Sequence, residues 1–346
     1  MLSVTRREFI GGLTATGVAS TIQFDQSIKP DLIKPKKISP GDTIGIIAPA
    51  SPVFERQALL KAQKHWEALG FNVRFAPHIS DHLRYLAGSD QDRASDVMSL
   101  FTDHSIDAII ALRGGYGSIR LLPYLDFNLI RENPKILMGY SDITTLLLAI
   151  HRMTGLVTFH GPVGLSTYNE YSTRFIMETL TRCKPVSNIP PPEETFPMLA
   201  NTRKFSQSVQ APLTGGNLSL IVATLGTPYE IETNDHILFI EEVGEEPYRI
   251  DRMLTQLAQS GKFENIRGII FDQCAGCGPS DYKPAFDNTF SVEEVIRDRL
   301  AELECPVLIN ASIGHVADKP ILPLGIRAEL DPNSLTYSLI EPAVCE

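Results

Sequence analysis

The sequence predicts an α/β protein: a mostly parallel sheet with helices on both faces, continued by a second α/β unit. Three observations support this. Strand-like and helix-like segments alternate with little waste from Thr43 onward, the run Ile136-Leu137-Met138 is short and apolar enough for a sheet-core strand, and residues 54–69 are amphipathic and closed by Gly70.

Taken in order, a strand is expected over 43–48, a helix over 54–69, a strand over 71–75, a helix over 91–101 and a strand over 106–112. The last of these runs into Arg113-Gly114-Gly115-Tyr116-Gly117, with a helix from Ser118. After 126–133 comes the strand at 136–138. It turns sharply at Ser141 into a helix whose first turn holds Asp142 and whose interior is 143–150; a strand over 156–159 follows. Sheets of this kind bind ligands beyond the carboxyl ends of their strands. The 113–117 loop, Ser141 and His160 all fall on that edge.

Residues 169–210 carry little periodicity and include Ile189-Pro190-Pro191-Pro192-Glu193-Glu194, so they read as a connector between an N-terminal unit over 38–168 and a C-terminal one over 211–342. In the second unit, 212–216 turns into a helix over 218–225. Strands are expected over 237–240, 266–271 and 307–310, with helices over 248–260 and 292–303. Two closing strands, 322–330 and 334–340, flank the turn Asp331-Pro332-Asn333. There is no internal repeat of solenoid length.

Composition narrows the functional classes. The 346 residues are 43% hydrophobic and 21% charged, as expected of a globular protein of one large core or two ordinary domains. A net charge of -10 argues against a broad nucleic-acid surface, which needs clustered cations. No apolar stretch is long enough to span a bilayer. Residues 1–24 differ from the rest: Thr5-Arg6-Arg7-Glu8-Phe9-Ile10 precedes an uncharged stretch of small and apolar residues, the pattern of a twin-arginine export signal. Export to the periplasm or beyond is therefore expected. No lipobox follows, so no lipid anchor is expected. The five cysteines are too few for a disulfide framework, and Cys274-Ala-Gly-Cys277 lacks the partners of a zinc site.

Chemistry concentrates at a few points. A serine at a strand-to-helix corner projects from the sheet edge beside unpaired helix N–H groups, a geometry suited to a nucleophile and its oxyanion, although such serines also serve as helix caps. Gly139-Tyr140-Ser141-Asp142-Ile143 is not the full G-x-S-x-G elbow. A serine nucleophile needs a base and an acid that orients it. Of eight histidines, His160 at a strand end and His315 in a loop after a late strand are the two candidates, and periodicity cannot choose between them. Glu241 closes the apolar strand 237–240 and suits the orienting acid; alternatively, Glu241, Glu242, Glu245 and Glu246 form a solvated turn. The glycines of 113–117 permit a turn that brings backbone N–H groups to a ligand, and no nucleotide-binding fingerprint occurs.

Together these segments resemble the serine LD-carboxypeptidases, the muramoyltetrapeptide carboxypeptidases and related microcin-immunity peptidases. The resemblance rests on 41–51, Arg113-Gly114-Gly115-Tyr116-Gly117-Ser118, Gly139-Tyr140-Ser141-Asp142-Ile143-Thr144, Phe159-His160-Gly161-Pro162, Gly215-Gly216-Asn217-Leu218-Ser219, the run 241–252 and Gly314-His315 with Leu322-Pro323-Leu324-Gly325. It covers about 38–340 in order. It implies a doubly wound N-terminal domain with a smaller mixed C-terminal domain, often paired as a homodimer, and no metal or organic cofactor. It further implies Ser141 as nucleophile, Glu241 as acid and His315 as base, with the Gly115 and Asp142 amides as the oxyanion hole. His160 becomes a cleft-lining residue and, with Asn217, a candidate for substrate contact; Arg113, by charge and position, is a candidate to meet the substrate's terminal carboxylate, the alternative being that it holds its own loop. The expected reaction is release of terminal D-alanine from peptidoglycan-derived muropeptides. The alternatives are an amidase or peptidase acting on another peptide conjugate and an exported muropeptide-binding protein without turnover. Many family members work in the cytoplasm, which makes that the alternative location.

Overall fold

The computed structural model describes residues 30–280, 282 and 284–346. The leader expected at 1–24 lies outside the described residues. Among those described, no helix is long and apolar enough to cross a membrane.

Five strands form in turn: β1 (Thr43–Ile47), β2 (Asn72–Phe75), β3 (Ala108–Ala111), β4 (Ile136–Gly139) and β5 (Phe159–His160). All are parallel where they pair, in the spatial order 5-4-3-1-2. The parallel arrangement follows from composition. Every residue of β3 and β4 is buried, so these strands need cover on both faces, which the crossover helices supply. Helix Asp90–Thr102 opens on Ser89, whose side chain accepts from the Asp92 amide, and carries Asp90 and Asp92 in its first turn. The first helix starts at Arg56 rather than at the expected Phe54, which is left 74% exposed.

The second sheet is mixed. It contains β6 (Val186–Ile189), β7 (Met198–Leu199), β8 (Val209–Asn217), β9 (Ile237–Glu241), β10 (Gly268–Asp272) and β11 (Val307–Ala311). After β12 (Leu322–Pro323), β13 (Arg327–Asp331) and β14 (Thr336–Leu339) complete it, in the order 6-14-13-8-9-10-11-7. Strands β8 to β11 run parallel, while β6, β13, β14 and β7 pair antiparallel. The protein is thus a two-domain α/β fold with one mostly parallel sheet and one mixed sheet.

Two segments depart from the expected pattern. The stretch 169–210 contains helix Glu170–Thr181, capped by the Asn169 side chain on the Ser172 amide, together with β6 and β7. The expected strand over 322–330 divides at Gly325, where φ is +86°: β13 stays in the second sheet, and β12 crosses to pair antiparallel with β5. One hydrophobic cluster consequently runs through both halves, joining Leu146, Leu147 and Ile150 to Leu218, Ile221 and Phe239. At the seam, Thr144 Oγ1 accepts from the Asn217 amide at 3.0 Å. A Cβ on Gly216 would lie 2.4 Å from Thr144 Cγ2, so only glycine lets the second sheet seat this closely on the start of helix Thr144–Thr154.

Candidate active site

Strand β4 is buried along its length and delivers its last residues to the sheet edge. There the chain reverses through Tyr140, which is extended, into a short 3₁₀ turn, Ser141–Ile143, and the helix Thr144–Thr154. Ser141 has φ of +63°, a conformation that side-chain-bearing residues adopt only when their surroundings enforce it. The corner is tightly packed: Gly114 lies so near that a Cβ on it would be 2.9 Å from Ser141 Cβ and 3.0 Å from its Oγ. Ser141 is the first residue of the turn, whose N-cap position is Tyr140, and the N-cap of the helix that follows is Ile143, so Ser141 occupies neither cap. Asp142, the next residue, is buried; its Oδ2 accepts from the Ser118 amide at 2.8 Å, and its carbonyl accepts from the Ser118 hydroxyl. Burial raises the Asp142 carboxyl above its ordinary range.

The 113–117 loop closes over this corner. Gly115 (φ +115°) has room for no side chain, because a Cβ would meet Ser51 Oγ at 2.3 Å. Ser51 Oγ accepts from the Tyr116 amide at 3.1 Å, and the Gly114 carbonyl faces the Ser51 amide at 3.4 Å. The buried Arg93, paired with Asp90 at 2.6 Å, anchors both loops by donating to the carbonyls of Pro49 and Gly117. The Gly115 and Asp142 amides take part in none of the loop hydrogen bonds among the described residues, so both are unspent donors beside Ser141. Arg113 is exposed and donates to the Pro52 carbonyl at 3.3 Å, holding its own loop.

Strands β9, β10 and β11 bring the remaining groups to the matching edge of the second sheet. Glu241, the last residue of β9, is fully buried, and its Oε2 lies 2.7 Å from His315 Nδ1. Among the described residues its other oxygen has no partner. Glu242 is buried too and accepts from Asn217 Nδ2, the Ser219 amide and hydroxyl, and the Val243 amide. The solvated-turn alternative therefore fails for these two carboxylates. Asp272, at the end of β10, accepts from the amides of Ile313 and Gly314 at 3.0 and 3.1 Å, which fixes the loop that presents His315. Burial, reinforced by the Glu241 charge, pushes its carboxyl up to about 7.

The two candidate histidines have different surroundings. His315 reaches the surface with its side chain 20% exposed, and its ring meets that of Tyr140 edge-on at 4.8 Å. His160 is sealed: it has no exposed surface, burial lowers its pKa to about 4, and its Nε2 lies 3.0 Å from the Ile313 carbonyl. A neutral imidazole donating to that carbonyl braces the His315 loop from beneath and cannot line a cleft, contrary to the expectation for His160. Asn217 departs from expectation in the same way. It is 2% exposed, caps helix Leu218–Ala223 and donates from Nδ2 to Glu242, so its side chain is engaged within the fold.

Sequence reasoning passed over three residues here: Tyr140, Asp272 and Lys319. Asp272 ends an apolar strand just as Glu241 does, and that signal would have found it. Cys274 and Cys277 are free thiols on the loop that follows β10.

The arrangement thus sets a strained serine and unspent amides on one sheet edge opposite a carboxylate-paired histidine on the other. Comparison with known proteins agrees with it. Residues 44–161 match the model of the LD-carboxypeptidase N-terminal domain, and 210–330 match that of the C-terminal domain. The chain belongs to the LD-carboxypeptidase family. Like that family, it is a serine-type carboxypeptidase. It is 37% identical over 318 residues to the "Probable murein peptide carboxypeptidase" of Bacillus subtilis, covering 90% of this chain and 96% of that one. To the murein tetrapeptide carboxypeptidase of Pseudomonas aeruginosa it is 31% identical over 298 residues, covering 85% and 94%. Among solved structures, an MccF-like protein from Bacillus anthracis superposes with a TM-score of 0.78 at 29% identity, covering 89% of this chain and 99% of that one. The muramoyltetrapeptide carboxypeptidase of Oxalobacter formigenes gives 0.75 at 28%, covering 88% and 100%.

Proposed function

We propose that this LD-carboxypeptidase releases the terminal D-alanine of peptidoglycan-derived muropeptides through an acyl-enzyme on Ser141. The observation that carries the proposal is the 2.7 Å contact between Glu241 and His315 Nδ1, which fixes the ring's tautomer. With Nδ1–H donated to the carboxylate, Nε2 keeps its lone pair. It takes the Ser141 proton as Oγ attacks the carbonyl that joins the L-centre of a diamino acid to D-alanine. The developing oxyanion is met by the Gly115 and Asp142 amides, which need no reorganisation because the Ser51 and Ser118 contacts already hold their loops. His315 then protonates the leaving amine. A water, activated by the same Nε2, hydrolyses the ester and frees Ser141. The imidazolium formed at each step lies against a carboxylate excluded from solvent.

Digestion of muropeptides by wild type and by Ser141→Ala, read by mass spectrometry, tests this. Loss of one alanine by wild type alone is expected. Loss by both would remove Ser141 from the mechanism, and loss by neither would remove the substrate. Likeness to an MccF-like protein favours a second reading, hydrolysis of a peptide linked to another group, which a panel of peptide conjugates in the same assay separates. Export through the Arg6-Arg7 leader belongs to the proposal as well; a reporter fused to residues 1–30 that ignored Arg6→Lys/Arg7→Lys would exclude it.

A further inference from the structure

Lys319 stands out among the charged groups of the fold. It is 4% exposed, yet its ammonium donates no hydrogen bond to any described residue. What it has instead is the ring of Tyr140, whose centroid lies 4.5 Å from Nζ, and the more distant charges of Glu241 and Asp272. The stem is buried, but Nζ itself keeps contact with solvent, so its unmatched donors face an opening rather than a dry interior. Three bonds hold the backbone of this loop: the Lys319 amide donates to Ser172 Oγ, the Ser172 hydroxyl donates to the Ala317 carbonyl, and the Asp318 carbonyl takes the Ser312 hydroxyl. The loop is built to hold the side chain in place while leaving its head group without a hydrogen-bonding partner.

Its position gives the missing partner a chemical class. Tyr140 precedes Ser141, and its ring touches both His315 and Lys319. In the proposed reaction the leaving nitrogen sits on His315 Nε2, and in a carboxypeptidase substrate the free carboxylate is only two bonds further on. A cation packed on the same tyrosine as the general base is therefore on the leaving-group side of the scissile bond, within reach of that carboxylate. Arg113, the other cation near the nucleophile, is exposed and bound to the Pro52 carbonyl.

We propose that Lys319 is the specificity-determining residue that receives the substrate's free terminal carboxylate and so restricts the enzyme to the last residue of a peptide chain. This rests on the carboxypeptidase reading above. It explains why a lysine is buried beside two carboxylates without touching either: a direct ion pair would spend the charge that the substrate needs. Burial also holds the ammonium down to about 8, so it is still largely protonated at neutral pH, and a bound carboxylate would strengthen that protonation.

The test compares an LD-tetrapeptide ending in a free D-alanine with the same peptide ending in D-alanine amide, using wild type, Lys319→Met and Lys319→Arg. Methionine keeps the aliphatic stem and removes only the charge. A charge-assisted bond sets the expected loss in kcat/KM on the acid at about 10- to 100-fold, carried mainly by KM. On the amide, Lys319→Met should lose several-fold less than on the acid, so that the preference for acid over amide collapses, and Lys319→Arg should restore part of it. Equal losses on acid and amide would mean that Lys319 only shapes the site, and the inference would fall. Unchanged discrimination in Lys319→Met would also overturn it. Failure of the underlying reading shows differently, as a wild type that turns over neither peptide. Binding of both peptides to Ser141→Ala, measured by calorimetry, then separates a site that still prefers the acid from one with no affinity for either, and the latter overturns the inference too.

Discussion

Glu241→Gln tests the heart of the mechanism, because it removes one charge and almost nothing else. Glutamine has the same shape, and at a position with no exposed surface it keeps the packing of β9. What it loses is the attraction between the carboxylate and the imidazolium that forms as Ser141 gives up its proton. With Oε2 2.7 Å from Nδ1, the charge centres lie about 4 Å apart, and at an effective dielectric near 20 that attraction is worth about 4 kcal/mol. If all of it acts in the transition state, kcat falls about a thousandfold. The amide can also turn its NH₂ toward Nδ1, which would favour the wrong tautomer and deepen the loss. The assay is release of D-alanine from an LD-tetrapeptide at saturating substrate, with thermal unfolding to show that the variant is intact. A folded Glu241→Gln whose kcat stayed within about tenfold of wild type, a deficit below about 1.4 kcal/mol, would refute the role given to Glu241.

Two further perturbations reach the site from its supports. In Gly114→Ala the new methyl, 2.9 Å from Ser141 Cβ, must push either the serine or the oxyanion loop aside; kcat should drop about a hundredfold with the melting temperature nearly unchanged, and full activity would show that the corner is not sterically set. Asp272, raised to about 7, is protonated in the native state across a range where the unfolded carboxyl, at about 4, is ionised. Native protein therefore binds the extra proton, and the stability contributed by Asp272 declines as pH rises from about 4 to about 7. Asp272→Asn should remove that part of the slope, so its melting temperature should gain on wild type through this window; a pH-independent difference would count against a protonated native Asp272.

Much of the site was legible because buried parallel strands announce themselves. Ile136-Leu137-Met138 and Ile237 to Ile240 are unbroken apolar runs, and the polar residues that end them, Ser141 and Glu241, have to emerge at the sheet edge. The choice between His160 and His315 was not legible locally. Both end strand-like segments, and what separates them is burial and a contact with a residue 74 positions away. Helix Glu170–Thr181 was overlooked although Tyr171, Phe175, Ile176 and Leu180 lie at helical spacing behind an Asn169 cap, because the proline run after it dominated the segment. The split of 322–330 between two sheets leaves only Gly325 as a trace, and one glycine between apolar residues does not reveal that a strand changes partners. Lys319 looked like an ordinary loop cation, since sequence has no marker for a lysine whose side chain is buried.

The crossing of β12 to the edge of the first sheet has a consequence for how the protein comes into being. Leu322 pairs with His160, and further along Lys36 bridges Cys345, with the Cys345 carbonyl and amide tied to Lys37 and Pro35. A nascent chain can assemble β1 to β5 early, but that sheet keeps an open edge beside His160 until residues beyond 322 have left the ribosome. The His315 loop, braced by His160 through the Ile313 carbonyl, lies just ahead of β12 in the chain. The nucleophile's sheet is thus made from the first half of the described chain, but its edge beside His160 is closed by a strand that follows the base, so the serine's own sheet cannot be completed without the segment that carries His315.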